Sequence, residues 1–169
     1  MIASCQAFSV QAQCFIDQYG NYTVPELIPV LGEEDAHVRK YLENIVGIFL
    51  HLKIFQLNGR NTQGENIADN GGIRETFRAY SRSVEDLGSE PALPGLTQFS
   101  AQQMLFISYA QVWCEIQTPE SLLGQVLSDP HSPGKFRVVG PLGNSEDFQT
   151  EFSCSADASM NREDKCKLW

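Results

Sequence analysis

Apolar residues recur at three- and four-residue steps along much of the chain, and this spacing predicts helices rather than strands. The clearest case is the segment 33–53, whose apolar positions are Val38, Tyr41, Leu42, Ile45, Val46 and Phe49. Acidic residues at positions 33–35 suit the first turn of that helix, and Lys53 suits its last turn. No segment gives a strong alternating strand signal, so the sequence predicts a mainly α protein.

A second long helix is predicted from about Thr62 to about Glu85, with an apolar stripe formed by Ile73, Phe77, Tyr80 and Val84. Gly71 and Gly72 each cost it about 1 kcal/mol relative to alanine, which predicts a break at that point. Other helices are predicted over 1–19, 100–114 and 119–127, the last with Pro119 at its first position. Short helices and turns are expected from residue 129 onward.

Length and composition indicate a globular chain of one domain. The 169 residues can bury a core, and 42% hydrophobic with 20% charged residues is not a disordered composition. The net charge of −9 argues against nucleic acid and against an anionic membrane surface as partners. The longest apolar stretch, 45–50, is too short to span a bilayer, and the N-terminus lacks the pattern of a signal peptide.

The cysteines and one tripeptide favour an exported protein. The count of five is odd, no two cysteines have the C-x-x-C spacing of a zinc ligand pair, and a glycosylation sequon lies at residues 21–23. Together these features lean towards an oxidising compartment. The cysteines are Cys5, Cys14, Cys114, Cys154 and Cys166.

The run from Gly64 to Gly72 carries the most chemical information. Glu65 and Asp69 are four residues apart, so a helix places both carboxylates on one face. A glutamate there can bind a metal ion, and an aspartate one turn on can brace another ligand. The run is therefore typical of part of a zinc hydrolase site.

A structural alternative explains the same residues without a metal. Thr62-Gln63-Gly64-Glu65 matches a capping box, in which the glutamate only caps the helix start. Asp69 is then an ordinary solvated acid, and the residues 70–72 end the helix.

Several motifs in a fixed order resemble the neprilysin and endothelin-converting-enzyme family of zinc metallopeptidases. GENIADNGG, preceded by NGRNT at 58–62, is followed by LPGL at 93–96 and AQVWC at 110–114. DPHSPGKFR at 129–137 and the closing CKLW at 166–169 complete the order, and QC at 13–14 through YGNYT at 19–23 fits upstream. The resemblance covers roughly residues 10–24 and 56–169.

The resemblance implies a role for individual residues. Glu65 resembles the third zinc ligand of an H-E-x-x-H…E arrangement, and Asp69 the acid that orients a zinc-bound histidine. His131 resembles the residue that stabilises the oxyanion, and Arg137 the one that holds a substrate carbonyl. Val112 and Trp113 are similar to residues lining the pocket for an apolar side chain. His37 and His51 lie outside the match, and we expect them to be helix-surface residues.

The resemblance also implies a setting for the chain. The family cleaves small peptides, outside the cell or from the outer face of the plasma membrane. The expected fold is the helical C-terminal part of a thermolysin-like catalytic domain, with 1–169 forming a single partial domain. Residues 25–55 are expected to be an insertion, which is either a true extra helix or translated non-coding sequence, and residues 1–9 also depart from the family pattern.

No H-E-x-x-H occurs in the 169 residues, so two histidine ligands and the general base are lacking. One carboxylate does not hold Zn²⁺ tightly, and we expect the polypeptide alone to be inactive. The partners expected for it are the N-terminal part of the catalytic domain and a peptide substrate. The alternative is a non-catalytic truncated isoform, or a fragment that binds peptides or a partner.

For the cysteines, the resemblance implies that Cys14 pairs with Cys166, which stabilises by about 4–5 kcal/mol in the loop-entropy model. The family partners of Cys114 and Cys154 are absent here. Those two thiols therefore remain free, pair with each other, or pair with Cys5.

Overall fold

A computed structural model describes residues 2–27 and 56–168, the side chains of residues 2–6 excepted. Helices dominate both parts, and the extended pairing within them is one isolated bridge, between Thr23 and Gln56. The predicted mainly α class is confirmed. In chain order the elements are α1 (Ile2–Gly20), a 3-10 turn (Pro25–Leu27), α2 (Gln63–Leu87), α3 (Ala101–Val112), α4 (Pro119–Ser128), α5 (Gly134–Asn144) and α6 (Glu146–Glu151).

Local sequence signals set most helix boundaries. Ser100 accepts a hydrogen bond from the backbone of Gln103 and forms a full capping box at the start of α3. Thr118 caps α4 with a single bond, accepting from the backbone of Ser121, and Pro119 lies in the first turn as predicted. The helix predicted over 33–53, and nearly all of the expected insertion at 25–55, lie outside the described residues.

The predicted break at Gly71 and Gly72 is wrong, because α2 continues as one helix to Leu87. Its apolar stripe passes through the glycines without interruption, from buried Ile67 to buried Ile73 and Phe77. Burying such side chains contributes about 1.5–3 kcal/mol each, which exceeds the cost of the two glycines.

Helix α2 lies at the centre and packs against α1, α3 and α5. Two apolar clusters surround it. One joins α1 to the C-terminal segment, the α4–α5 region and the turn at 25–27; the other joins α2 and α3 to Leu142 of α5, with Phe148 and Phe152 packed against it. The side chains that contact α2 therefore fix where its first turn points.

Helix α1 approaches α5 closely at Gly140. A Cβ built on Gly140 would overlap the hydroxyl oxygen of Tyr19, so no larger residue fits without movement. The Tyr19 side chain is fully buried, and burial raises the pKa of its hydroxyl well above the usual value.

A disulfide between Cys14 and Cys166 ties α1 to the C-terminal segment across 152 residues, as the resemblance implied. Cys114 and Cys154 are free, so the alternative in which they pair with each other is wrong. No helix within 2–27 and 56–168 has the length and apolar character to cross a membrane.

Candidate functional site

Glu65 lies in the first turn of α2 but does not cap it. Thr62 occupies the N-cap position without a side-chain capping bond, because its oxygen accepts from the Asn66 side chain at 2.8 Å while its hydroxyl donates to the carbonyl of Asn58 at 3.1 Å. The Glu65 carboxylate instead faces residues of later elements, so the capping-box alternative is wrong.

Two cationic or donor groups approach the same oxygen of Glu65. Oε2 lies 3.3 Å from Nε2 of His131 and 3.5 Å from Nη2 of Arg137. Helix α2 supplies the carboxylate, the α4–α5 loop supplies the imidazole, and the first turns of α5 supply the guanidinium. The structure thus brings together three of the residues predicted from sequence.

Asp69, one turn after Glu65, forms a bidentate ion pair with Arg137. Its two oxygens accept from Nε and Nη2 at 2.7 Å each, and the side chains are only 10% and 13% exposed. The hydrogen bonds to Asp69 raise the pKa of Arg137, with the charge of Glu65 adding to the effect. Asp69 is therefore not the solvated acid of the structural alternative.

Arg137 is held from two other sides. Its guanidinium carbon lies 4.0 Å from the centre of the Trp113 ring, a cation–π contact. Its carbonyl oxygen accepts from the Tyr109 hydroxyl at 2.7 Å. That carbonyl lacks a helical donor, because Pro141 occupies the position four residues on and has no N–H. Tyr109 thus fills a gap that the proline opens.

His131 is fixed by Asp129. One oxygen, Oδ1, accepts from the His131 backbone N–H at 2.8 Å and lies 2.8 Å from ring Nδ1. This contact orients the ring so that its other nitrogen, Nε2, points towards the Glu65 carboxylate. The hydrogen bond from the backbone of His131, followed by that from its ring, lowers the pKa of Asp129.

Of the two residues predicted to line a substrate pocket, Trp113 lines a groove and Val112 does not. Trp113 is half-buried and lines a groove of about 440 Å³ together with Ile116, Leu122 and Phe136. Val112 is 74% exposed and does not line that groove. His37 and His51 lie outside the described residues.

Sequence reasoning missed Asp129 and Tyr109. A signal for Asp129 exists, since an aspartate before a proline often accepts from the backbone N–H two residues on. No local signal marks Tyr109, because its partner is 28 residues away in the chain.

The described part of the chain gathers no group of three metal-ligating side chains. The Glu65 carboxylate, with 41% of its side chain exposed, is accessible from solvent. These residues fit one corner of a zinc site rather than a complete one, because catalytic zinc takes about three protein ligands.

Comparison with known proteins identifies the family of this chain. Peptidase family M13 matches residues 2–168, which includes the first residues that the motifs left out. Neprilysin-11 of Caenorhabditis elegans is 39% identical over 167 residues, covering 99% of this chain and 17% of that protein. Endothelin-converting enzyme 1 of Homo sapiens is 40% identical over 169 residues, covering 99% and 18%. Neprilysin of Oryctolagus cuniculus is 38% identical over 166 residues, covering 98% and 19%.

Solved structures give the same result for the fold. The "Haemonchus galactose containing glycoprotein complex" matches with a TM-score of 0.77 and 31% identity, covering 99% of this chain and 24% of that one. The Mycobacterium tuberculosis zinc metalloprotease ZMP1 shares the fold with a TM-score of 0.71 at 24% identity, over 96% of this chain and 21% of that one. This chain spans less than a fifth of the length of the curated relatives named above. The chain belongs to Peptidase family M13, the family of the neprilysins and endothelin-converting enzymes.

Proposed function

We propose that this chain supplies the C-terminal portion of the active site of a zinc metalloendopeptidase that hydrolyses small peptides. The observation that carries the proposal is the meeting of His131 and Arg137 at one oxygen of Glu65, at 3.3 Å and 3.5 Å. A potential metal ligand, a polarisable imidazole and a cation on one surface are the parts that such a site needs from this segment.

Each residue has a proposed task. Glu65 binds Zn²⁺ through its carboxylate, and zinc when bound supplies a Lewis acid and an activated water. His131 donates a hydrogen bond to the oxyanion as the peptide carbonyl becomes tetrahedral, with Asp129 holding the ring in orientation. Arg137 holds a substrate carbonyl. Asp69 braces a zinc-binding histidine.

The geometry around Arg137 supports this division of tasks. Both oxygens of Asp69 are engaged by the guanidinium at 2.7 Å, which fixes the plane that would face the substrate. Trp113 stacks on Arg137 and lines the neighbouring groove, which supports its role in the wall for an apolar substrate side chain. The same role for Val112 rests on the resemblance alone, because its side chain does not line the groove.

A replacement experiment tests the proposal. Residues 2–168 are substituted for the matching segment of human endothelin-converting enzyme 1, and the chimera is assayed on the host enzyme's own peptide substrate. Activity is expected. His131→Ala should lower kcat by about 10²–10³, the usual loss for one oxyanion donor. Glu65→Gln should remove bound zinc as well as activity, while Glu120→Gln, an exposed change on α4, should do neither.

We further propose that the 169-residue polypeptide alone neither binds zinc tightly nor hydrolyses peptides. It contains three histidines and no H-E-x-x-H. A single carboxylate ligand does not compete effectively with water for Zn²⁺. Calorimetric titration with Zn²⁺ should show no tight site. A zinc-dependent turnover of the pure chain that Glu65→Ala abolishes would contradict this.

A non-catalytic role as a truncated isoform that binds peptides is the alternative function. The groove beside Trp113 favours it, because it carries apolar side chains such as Phe136 and has room for one peptide side chain. Peptide binding by the zinc-free chain, lost in Leu122→Asp, would support it. If the zinc-free chain binds no peptide and the chimera is active, the result would support the peptidase role and contradict the alternative.

We also propose an extracellular or membrane-ectodomain location with a glycan on Asn21. The side chain is exposed just after α1, and the Cys14–Cys166 disulfide suits an oxidising compartment. Expression through a secretory pathway should give a mass shift that glycan removal and Asn21→Gln both abolish.

A further inference from the structure

The loop that carries His131 is joined to the helix that carries Glu65 by a buried hydrogen bond. Ser132 Oγ donates to Oδ1 of Asn66 at 2.8 Å, across 66 residues of chain. The two side chains are 1% and 0% exposed. Each directly follows a proposed site residue, so this one bond links the immediate neighbours of the imidazole and the carboxylate.

The side-chain amide of Asn66 is locked in one orientation. Its Nδ2 donates to Thr62 Oγ1 at 2.8 Å, and that hydroxyl uses its own hydrogen on the carbonyl of Asn58. Thr62 can then only accept from Asn66, so Oδ1 must be the atom that faces Ser132. The acceptor for the loop is therefore set by the turn before α2.

A second contact holds the other side of the loop. Asn61 Nδ2 donates to the carbonyl of Asp129 at 2.8 Å, and Asp129 in turn accepts from the His131 backbone. The turn before α2 and its first turn thus bind the loop on both sides of His131. The Asn66–Ser132 bond is the buried contact of the two, and an unsatisfied partner there is costly.

We propose that Asn66 and Ser132 are positioning residues that set the separation of the His131 imidazole from the Glu65 carboxylate. This inference rests on the proposed peptidase function. Neither side chain reaches the surface where a substrate would lie, so they act through the loop. Because a displacement of about 1 Å in a catalytic group can cost about 10²-fold in rate, losing the bond should lower kcat. KM should change little.

The kinetic test uses the chimera described above with Ser132→Ala, Asn66→Ala and the double variant. Ser132→Ala removes one oxygen and is the least disruptive change. Each single variant should lower kcat at least about tenfold with KM within about twofold, and the double variant should be no worse than the more severe single one. Additive losses, or losses confined to KM, would overturn the proposal.

Two control variants separate positioning from general stability. Asn144→Ala removes another buried asparagine, whose partners are Gln18, Asn70 and the Cys166 backbone rather than the His131 loop. Ser128→Ala matches Ser132→Ala chemically on exposed α4. Both should keep kcat, after correction for any unfolded fraction. A fall in kcat with Asn144→Ala equal to that with Asn66→Ala would contradict a positioning role.

A measurement on the 169-residue chain is independent of zinc and of activity. In NMR spectra, Ser132→Ala and Asn66→Ala should shift the ring and amide resonances of His131, whereas the control variants should not. Unchanged His131 resonances in Ser132→Ala would overturn the proposal even if the chimera is active. An inactive wild-type chimera would instead contradict the proposed function. The NMR comparison would then still test whether Asn66 and Ser132 position His131.

Discussion

At the scale of single residues, the site depends on carboxylates that each hold a defined partner. Asp69 holds the guanidinium of Arg137, and Asp129 holds the backbone and ring of His131. Glu65 has the longest contacts of the three carboxylates, at 3.3 Å to His131 and 3.5 Å to Arg137. In the proposed site these longer contacts would leave Glu65 able to bind a metal ion, whereas Asp69 and Asp129 are each engaged in short hydrogen bonds.

Asp129 gives a prediction about acid pH. Its pKa in the folded chain lies below the ordinary value of about 3.9, so its contribution to stability is present above that pH and is lost as pH falls through the folded pKa. The His131 amide resonance should therefore move with a midpoint below about 3.9 as Asp129 takes up a proton.

Asp129→Asn is the control for that titration and should abolish the transition. Asp86→Asn, an exposed change near the end of α2, should leave it unchanged. A midpoint at or above the ordinary value would contradict the hydrogen-bonded arrangement around His131.

At the scale of elements, α5 is shaped by a proline in its interior. Pro141 is fully buried and supplies no N–H for the carbonyl of Arg137, and Tyr109 on α3 donates to that carbonyl. Burial is the main cause of the raised pKa of Tyr109, so its hydroxyl stays a donor at any physiological pH. One side chain therefore docks α3 onto the segment that carries Arg137.

Removing the Tyr109 hydroxyl should destabilise the fold, because the carbonyl of Arg137 then loses its hydrogen-bond donor. Tyr109→Phe leaves the carbonyl of Arg137 unpaired, and the expected loss is about 1–3 kcal/mol in urea denaturation. Tyr80→Phe, which removes an exposed hydroxyl bonded to Glu90, should cost less. In a Pro141→Ala background the helix regains its N–H, so the cost of Tyr109→Phe should fall. Equal costs in both backgrounds would contradict the explanation.

Two glycines on neighbouring helices should respond oppositely to alanine. Gly140→Ala places a methyl group where it overlaps the Tyr19 hydroxyl and should destabilise by about 1–3 kcal/mol. Gly72→Ala meets nothing within 4 Å and should stabilise by up to about 1 kcal/mol through helix propensity. Thermal or urea unfolding measures both, and the same sign for the two variants would contradict the packing described here.

How far sequence predicts this molecule depends on the range of the interaction. Pro119 and Ser100 mark helix starts through contacts a few residues away, and both helices begin where expected. The continuity of α2 across Gly71 and Gly72 depends on packing against α1, α3 and α5, which no local pattern reveals. The site divides in the same way. Motifs marked Glu65 and His131 as candidate site residues, whereas the contact of Tyr109 with Arg137 is visible only in the fold.

At the scale of the whole molecule, the Cys14–Cys166 disulfide encloses every proposed site residue in one covalent ring. Ring closure over 152 residues is expected to stabilise by about 4–5 kcal/mol in the chain-entropy model. The double variant Cys14→Ser, Cys166→Ser should lose about that amount in urea unfolding. Cys114→Ser with Cys154→Ser, which removes two free thiols, should lose little. Equal losses would contradict the pairing.

The same ring has a consequence for proteolysis. A protease that cuts the backbone once anywhere between residues 14 and 166 leaves two pieces that the sulfur bridge still holds together. On a denaturing gel without reductant the nicked chain therefore migrates as a single species, and fragments separate only after a thiol is added. The segments that carry Glu65, His131 and Arg137 therefore remain covalently linked through the Cys14–Cys166 disulfide even after such a cut.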